Sequence, residues 1–468
     1  MQLPIIEPAP IVAQYAAEFE HVFENKRQFR HFQNYLTGLI VLENKTMANI
    51  ARCVLESADK TNLSRFFSQE NWNPEELNRR RIAFLLEKTK RQRRGGRKSV
   101  LSLDDTLLEH VGNLFDYIDK HYNHGNGNYP LAHNLVTSHY VSGAVRFPVG
   151  SRLYRRYEEA TEWEAFVSKH FPERTIPKKK KERNSFKKEV EATLLADPDF
   201  LAMHEAFCTK INLAGQLLNE AIALDVPFNT VLFDSWYLSP AFVQVLVDAQ
   251  KNWISLLKKN RNLQTSSLRI KDEDGKRLQF ETNKVKVEDL IPLIPDTAFK
   301  PVTLNEQTYY CFAFNAHLPS LGKVRLVISY SNPQLEGTYA ILVTNQLSWN
   351  AQKILETYLL RWPIETFYRD AKQLLGLGDY RMRQSNAFQK HWTLVFVAYS
   401  FLHLDCLSLS SSKKSSSPNR TIGEIVRQQT QILIEKLLVH AHQLLSQGMD
   451  VTELCAQLFA KQAYTLGG

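Results

Sequence analysis

The chain has 468 residues, of which 44% are hydrophobic and 23% are charged, a balance typical of a globular protein with roughly two to four domains. Its formal net charge of +9 favours a polyanionic partner, either nucleic acid or an anionic membrane surface. The five cysteines are scattered and form no Cys-x-x-Cys pair, which argues against structural zinc and against a disulfide framework.

Membrane and secretory segments are not predicted. The N-terminus has no basic stretch followed by an apolar run, so it does not resemble a secretory signal. The longest apolar-rich stretch, 392–404, is 13 residues long, which is too short to span a bilayer and predicts a buried core helix. Basic residues occur in loop runs and not along one face of an amphipathic helix, so a membrane-surface role is the weakest interpretation. A cytoplasmic protein is therefore expected.

Helical periodicity dominates the first part of the chain, from about 11 to 90. Two short helices are predicted at 46–55 and 61–67, joined by a turn at 57–60. They resemble a helix-turn-helix, which would place the second helix in a DNA groove, and an ordinary helical bundle is the alternative. The glycine-containing basic run at 91–98 predicts a flexible linker and a domain boundary.

Alternating strand and helix patterns follow the linker and predict an α/β core. Strands are predicted at 99–103, 134–141, 144–157, 229–233 and 253–257, and helices at 192–224 and 239–251. The basic run at 178–183 is interpreted either as a solvated loop or as a phosphate contact.

A strand-rich region from about 259 to 346 predicts a β-rich insertion in this core. Its candidate strands are 276–287, 308–314, 323–330 and 339–344. Helix returns at 348–375, either kinked or restarted at Pro363. A mostly helical tail follows Gly376, interrupted by a Ser/Lys-rich linker at 408–418.

Two aspartates stand at predicted strand ends. Asp104 and Asp234 each follow an apolar run typical of a central strand, where a charge is unfavourable without a partner or a metal. Carboxylates that converge at the carboxyl edge of such a sheet are suited to metal-assisted phosphodiester chemistry. The alternative for either residue is a strand-end turn or a helix N-cap.

Four side chains share the predicted helix that follows the strand-rich region. Tyr358, Arg361, Glu365 and Lys372 fall within a stripe about 60° wide at helical spacing. One acid, two bases and a phenol form a plausible surface for a metal and DNA phosphates. The alternative is a solvated helix face with i,i+4 ion pairs, Arg361 to Glu365 being one. A helix restart at Pro363 makes these angles approximate.

The pattern Tyr-x2-Arg-x3-Glu-x6-Lys resembles the signature of DDE transposases of bacterial insertion sequences. It is similar to the branch typified by insertion sequence four and its insertion sequence 701 relatives. Two short sequence motifs, Arg361-Trp-Pro-Ile-Glu365 and Asp234-Ser-Trp-Tyr237, also resemble those of that branch. The resemblance covers about 96–376.

The resemblance implies an α/β fold with an RNase H-like catalytic core, interrupted by a β-rich insertion between the second aspartate and the glutamate. It implies that Asp104, Asp234 and Glu365 are catalytic residues that bind Mg²⁺, for which Mn²⁺ can substitute. It assigns DNA contacts to the other three residues of the signature, Tyr358, Arg361 and Lys372. The implied partners are double-stranded DNA (transposon terminal inverted repeats and target DNA) and a second copy of the chain in a homodimer.

Two assignments within the resemblance stay open. Asp104-Asp105-Thr106 matches the family's Asp-x-Ser/Thr with Asp104 as the ligand, but strand alternation does not separate it from Asp105. Some members of the family hold a flipped base with a tryptophan. Trp236, Trp253 and Trp362 are candidates, although core packing is the predicted role of each.

The expected organisation is a helical DNA-binding domain at 1–95, a catalytic core at 96–258, a β-rich insertion at 259–347, the glutamate helix of the core at 348–376 and a helical C-terminal region at 377–468. The expected function is cut-and-paste DNA transposition in a bacterial cytoplasm, associated with the nucleoid. Two rival hypotheses are a non-catalytic transposase-derived DNA-binding regulator and a DNA endonuclease without strand transfer.

Overall fold

The computed structural model describes residues 2–55, 60–93, 98–410 and 420–463. The predicted turn at 57–60 and the predicted linker at 408–418 lie largely outside these residues, as do 94–97 of the predicted linker at 91–98, whose first residues, 91–93, are helical. The strands within them are β1 (Ser99–Glu109), β2 (Asp119–Lys120), β3 (Leu131–Ser142), β4 (Val145–Tyr154), β5 (Thr230–Phe233), β6 (Asn252–Leu256), β7 (Asn262–Gln264), β8 (Lys284–Lys286), β9 (Lys300–Leu304), β10 (Gln307–Leu318), β11 (Gly322–Tyr330) and β12 (Tyr339–Thr344).

Ten of these strands form one mixed sheet. Its order is β2-β3-β1-β5-β6-β12-β11-β10-β9, and β4 pairs with the outer side of β3. The pairs β1–β5 and β5–β6 are parallel, and all other pairs are antiparallel. At the centre of the sheet every position of β5 is buried, as expected for a parallel strand covered on both faces.

Helices cover the sheet and form both ends of the chain. They are α1 (Pro10–Tyr15), α2 (Lys26–Val41), α3 (Met47–Cys53), α4 (Lys60–Ser68), α5 (Pro74–Lys88), α6 (Lys90–Arg93), α7 (Tyr157–Ala160), α8 (Trp163–His170), α9 (Lys180–Leu195), α10 (Pro198–Ala206), α11 (Lys210–Ala223), α12 (Pro240–Asp248), α13 (Val287–Leu290), α14 (Ala351–Tyr358), α15 (Trp362–Leu375), α16 (Ser385–Ser410), α17 (Ile422–Ser446) and α18 (Val451–Ala463). Side-chain caps begin several of them, and Thr209 and Thr421 form capping boxes at α11 and α17.

Helix α16 is enclosed by the N-terminal helices and the sheet, which confirms the predicted core helix at 392–404. The Tyr35 hydroxyl of α2 bonds to Nδ1 of His391 in α16 at 2.8 Å. Arg81 of α5 is fully buried and donates to Ser400 Oγ of α16 at 3.0 Å and to the Pro148 carbonyl of β4 at 2.8 Å. The N-terminal helices therefore share one core with the sheet. No described helix combines the length and apolarity needed to cross a membrane.

Several local predictions are confirmed. The two helices of the predicted helix-turn-helix are α3 and α4, and β3 and β4 are joined at Gly143 as expected. The helix after the strand-rich region ends at Tyr358, passes through a 3₁₀ turn at Leu359–Arg361 and restarts at Trp362 with Pro363 in its first turn.

Other local predictions are wrong. Strand β1 does not end before Asp104 but continues to Glu109, because it pairs with β3 over its whole length. The basic run at 178–183 is not a loop throughout, since α9 begins at Lys180 and Arg183 forms an ion pair with Glu158. The single helix predicted at 192–224 is divided among α9, α10 and α11, with new N-caps at Asp197 and Thr209.

The strand-rich region contributes to the central sheet. Strands β9–β12 extend it through the antiparallel pair β6–β12, which spans Ile254–Leu256 and Leu342–Thr344. Within 276–287 the described strand is the short β8, and β9 was not predicted. The sheet therefore spans two of the expected domains, 96–258 and 259–347, and the boundary between them stays a prediction.

Candidate active site

The three carboxylates predicted to be catalytic line one open cleft of about 750 Å³ at the middle of the sheet, together with Asp105, Glu109 and Asp379. Asp104 lies within β1, Asp234 directly follows β5, and Glu365 lies in the first turn of α15. The parallel register pairs Ser102 with Leu232, and the same offset continued by two residues brings positions 104 and 234 to the same level. The chain thus brings together all three predicted catalytic residues.

Local structure explains where Asp234 and Glu365 stand. Asp234 Oδ1 accepts a hydrogen bond from the Trp236 backbone N–H at 2.9 Å, which forms a tight turn and ends β5. The Ser255 hydroxyl of β6 donates to the Asp234 carbonyl at 3.1 Å and fixes that turn to the neighbouring strand. Glu365 lies near the N-terminus of α15, where the helix dipole favours a negative charge.

Arg361 bridges two of the carboxylates. It donates to Asp104 Oδ2 at 2.5 Å and to Glu365 Oε1 at 3.1 Å, the second being the i,i+4 ion pair considered from the sequence. Burial opposes the charge on Arg361, but the carboxylate of Asp104, together with Glu365, raises its pKa overall.

Asp104 lies in a setting that disfavours its own negative charge. Burial raises the pKa of Asp104 to about 7, and the nearby carboxylates of Glu365 and Asp105 add to the rise, while Arg361 opposes it. The N–H of Asp105 also donates to Asp104 Oδ1 at 2.9 Å. The Arg361 guanidinium is the cation that contacts Asp104 in this structure.

Asp105 faces different partners. Lys210 Nζ of α11 donates to its Oδ2 at 2.7 Å, and the Tyr237 hydroxyl donates to its Oδ1 at 3.0 Å. Tyr237 is buried, and burial together with Asp105 raises the pKa of its hydroxyl, so the hydroxyl remains a donor. Asp104 and Asp105 are thus separated by their contacts: the first faces Arg361 and the second faces Lys210.

The two other residues of the signature are partly enclosed. Lys372 Nζ donates to the Leu107 carbonyl of β1 at 2.9 Å, and burial lowers its pKa. Tyr358 lies at the end of α14, and burial raises its pKa to about 12. Because α14 and α15 are separate helices, the stripe angles that join Tyr358 to Glu365 are only approximate, as the expected restart at Pro363 implies.

The three predicted catalytic residues have the type of side chain, a carboxylate, that a hard divalent cation binds. Magnesium prefers carboxylate oxygens, and three carboxylates from β1, the end of β5 and α15 line the same cleft. Among the described residues, however, no group of three His, Cys, Asp or Glu side chains is close enough to enclose a metal ion. The guanidinium of Arg361 lies between Asp104 and Glu365, so binding of a metal by all three carboxylates needs Arg361 to turn away.

The three tryptophans considered from the sequence differ in exposure. Trp253 is buried in β6, which confirms core packing. Trp236 and Trp362 are 47% and 69% exposed, so core packing is wrong for both. Trp236 lines the cleft two residues after Asp234.

Sequence analysis missed two residues beside the carboxylates. Lys210 was hidden in a predicted helix, and its partner Asp105 is 105 residues away along the chain. Tyr237 is the last residue of the motif Asp234-Ser-Trp-Tyr237. Its place near Asp234 could therefore be predicted from the sequence, but its contact with Asp105 could not.

Comparison with known proteins identifies the family. Residues 18–281, more than half of the chain, match the family model described as DDE superfamily endonuclease. The chain belongs to this family. The match includes Asp104 and Asp234 and ends before Glu365.

One relative indicates a narrower group within this family. The chain is 22% identical over 265 residues to a protein of Microchaete diplosiphon named as a probable transposase for insertion sequence element IS701. The aligned region is 55% of this chain and 57% of that relative, so the chain spans little more than half of the relative's length. Together with the family match, this confirms the resemblance to the insertion sequence 701-like branch. DDE superfamily endonucleases use divalent metal ions.

Proposed function

We propose that this DDE endonuclease is a DNA transposase that cuts transposon ends and joins them to target DNA. The observation that supports the proposal most is that Asp104 and Asp234, both within the matched family region, line one cleft with Glu365. The mixed sheet, with β1, β5 and β6 parallel beside the antiparallel β3 and β4, is compatible with the RNase H-like core that the resemblance implies.

Asp104, Asp234 and Glu365 would hold Mg²⁺, and Mn²⁺ could take its place. When bound, divalent ions of this kind activate a water or a 3′ hydroxyl as the nucleophile and stabilise the leaving oxygen of an in-line phosphoryl transfer. Such a positive charge would stabilise the carboxylate of Asp104, because burial, together with Glu365 and Asp105, raises its pKa.

The basic residues of the signature would act on the DNA. Arg361, released from Asp104 and Glu365, would have a guanidinium free to bind two oxygens of a phosphate beside the cut. Lys372 lines the cleft and would offer a point charge to another phosphate, while Tyr358 would orient Arg361 from the end of α14.

The rest of the chain would position the DNA. The net charge of +9 favours a polyanion, and the pair α3–α4 supports a role of the N-terminal helices in reading the terminal inverted repeats. A homodimer would pair the two transposon ends, as the resemblance implies.

The test uses Asp234→Asn in the full chain, with Asp248→Asn, at an exposed position of α12, as a matched control. With end-containing duplex DNA and Mg²⁺, we expect Asp234→Asn to lose cleavage and to keep DNA binding, as seen by gel electrophoresis and a mobility-shift titration. Asp248→Asn should cut like the wild type. Cleavage by Asp234→Asn would overturn the assignment of the site.

A second assay separates transposase from the two rival hypotheses. The wild-type protein is incubated with end-containing DNA, a target plasmid and Mg²⁺, and integration products are sequenced. Joined products bordered by a short target duplication are expected. Cleavage without joining would favour an endonuclease, and binding without cleavage would favour a regulator in which Arg361 permanently neutralises Asp104 and Glu365.

A further inference from the structure

Asp105 joins three separate parts of the chain beside the cleft. It belongs to β1, and its two carboxylate oxygens accept hydrogen bonds from Lys210 at the start of α11 and from Tyr237 in the turn after β5. The side chains of Lys210 and Asp105 are 14% and 22% exposed, and Tyr237 is buried. Both oxygens of Asp105 are therefore held by protein donors in an enclosed setting.

Lys210 is also held from its other side. Its Nζ lies 5.2 Å from the ring centres of both Tyr154 and Trp236, within the range of a cation–π contact. A positive charge in the first turn of α11 is opposed by the helix dipole, so helix stability does not explain a lysine there. The contacts of Lys210 with Asp105 and the two rings fix it at the cleft wall.

The hydrogen bond between Tyr237 and Asp105 matters because β1 and β5 share a short run of backbone hydrogen bonds. Within the described residues, β1 and β5 pair over Val100–Ser102 and Thr230–Leu232, and neither Asp104 nor Asp234 lies in that paired segment. Beyond it, the bond from the Tyr237 hydroxyl to Asp105 links the turn that contains Asp234 to the strand that contains Asp104.

We propose that Asp105 is a positioning residue and not a metal ligand, and that through Tyr237 and Lys210 it fixes the separation of the Asp104 and Asp234 carboxylates. This inference rests on the proposed function, in which those two carboxylates hold the metal. Residues that orient metal ligands, without binding the ion themselves, still contribute to metal affinity.

The experiment measures Mn²⁺ binding to the full-length protein without DNA, from the electron paramagnetic resonance signal of free Mn²⁺. Tyr237→Phe removes the hydroxyl and keeps the ring, and Asp105→Asn removes the charge that holds Lys210. Both should bind Mn²⁺ with unchanged stoichiometry and with affinity weaker by roughly ten- to hundredfold. DNA cleavage by both should recover at higher Mn²⁺, whereas Asp104→Asn should not recover.

The matched control is Tyr35→Phe, which removes another buried, hydrogen-bonded hydroxyl but one that binds His391 away from the cleft. It should keep wild-type Mn²⁺ affinity. Thermal unfolding curves of every variant check that the protein is folded when its Mn²⁺ affinity is measured.

Three results would overturn the proposal. Wild-type Mn²⁺ affinity in both Tyr237→Phe and Asp105→Asn would remove the positioning role, even if the wild type cuts DNA. Loss of Mn²⁺ binding by Asp105→Asn at every concentration, as for Asp104→Asn, would make Asp105 a ligand. A wild-type protein that binds no Mn²⁺, either alone or with end-containing DNA, would overturn this inference and the proposed function together. Shifted affinities without any DNA cleavage by the wild type would support the positioning role and overturn the proposed function alone.

Discussion

The guanidinium of Arg361 contacts the carboxylates of Asp104 and Glu365 at the same time, at 2.5 and 3.1 Å. Both carboxylates are predicted metal ligands, and a guanidinium and a divalent cation cannot occupy the same oxygens. In this structure Arg361 therefore competes with any metal for the site. The same residue that would bind a DNA phosphate in the complex neutralises the carboxylates in its absence.

Replacing Arg361 separates these two roles. We expect Arg361→Gln to bind Mn²⁺ about tenfold more tightly than the wild type, because a charge-assisted hydrogen bond worth about 1.5–3 kcal/mol no longer has to be broken. Cleavage of end-containing DNA should fall, since the phosphate contact is lost. Mn²⁺ titration of the free protein and a cleavage assay measure the two effects.

Arg369→Gln is the matched control for Arg361→Gln. Arg369 lies on α15, the helix that begins directly after Arg361, pairs with Asp370 and is 61% exposed, so its loss should leave Mn²⁺ affinity unchanged. Weaker or equal Mn²⁺ binding by Arg361→Gln would show that the arginine does not compete with the metal.

Arg81 is expected to be a major contributor to stability. It is fully buried and donates to Ser400 of α16 and to the backbone carbonyls of Pro148 and Val149. Arg81→Met removes the donor to Ser400 and Pro148, while Asn78 still donates to the Val149 carbonyl, and we expect the free energy of unfolding to fall by roughly 3 kcal/mol, as measured by urea denaturation.

The neighbouring residue supplies the control for Arg81→Met. Arg80 is half-exposed and pairs with Glu76 at 2.8 Å, so Arg80→Met should cost less than about 1 kcal/mol. Similar losses for the two variants would contradict the assignment of Arg81 as the link between α5, β4 and α16.

His403 makes stability depend on pH. Burial lowers its pKa to about 3, with Arg146 adding to the effect, and its Nε2 accepts the N–H of Arg146. Below about pH 6.5 the unfolded chain binds a proton here that the folded chain does not. The free energy of unfolding therefore falls as pH falls from about 6.5 towards 3, by up to about 1.4 kcal/mol per pH unit.

The His403→Gln variant keeps an acceptor near Arg146 and removes the titration. As the pH falls from 7 to 4.5, its free energy of unfolding should fall less steeply than that of the wild type. The difference in slope should be up to about 1.4 kcal/mol per pH unit. His442→Gln, at an exposed position of α17, should keep the wild-type slope. An unchanged slope in His403→Gln would show that this imidazole does not stay neutral in the folded protein.

The features predicted correctly from the sequence depend on local signals. Apolar residues before Asp234 predicted β5, and Pro363 predicted the restart of the helix, because both follow from neighbours in the chain. The spacing of Arg361 and Glu365 likewise predicted their ion pair.

The features missed depend on residues far apart in the chain. The end of β1 was placed too early because its pairing with β3, which carries the strand past Asp104, leaves no local mark. The contacts of Asp105 with Lys210 and Tyr237 span 105 and 132 residues. Tertiary packing alone decides that Trp253 is buried and Trp362 is exposed.

Strand β1 also has an open edge beside the cleft. Its pairing with β5 covers Val100–Ser102, whereas its pairing with β3 reaches Glu109. Beyond Ser102, the Leu107 carbonyl accepts the Lys372 ammonium, and the Asp105 N–H donates to the Asp104 side chain. Unpaired strand edges promote aggregation, and a charged side chain blocks such pairing. Lys372 satisfies one carbonyl of this edge, so we expect its replacement to expose that carbonyl to pairing with another chain, and the solubility of any Lys372 variant must be measured before its activity is interpreted.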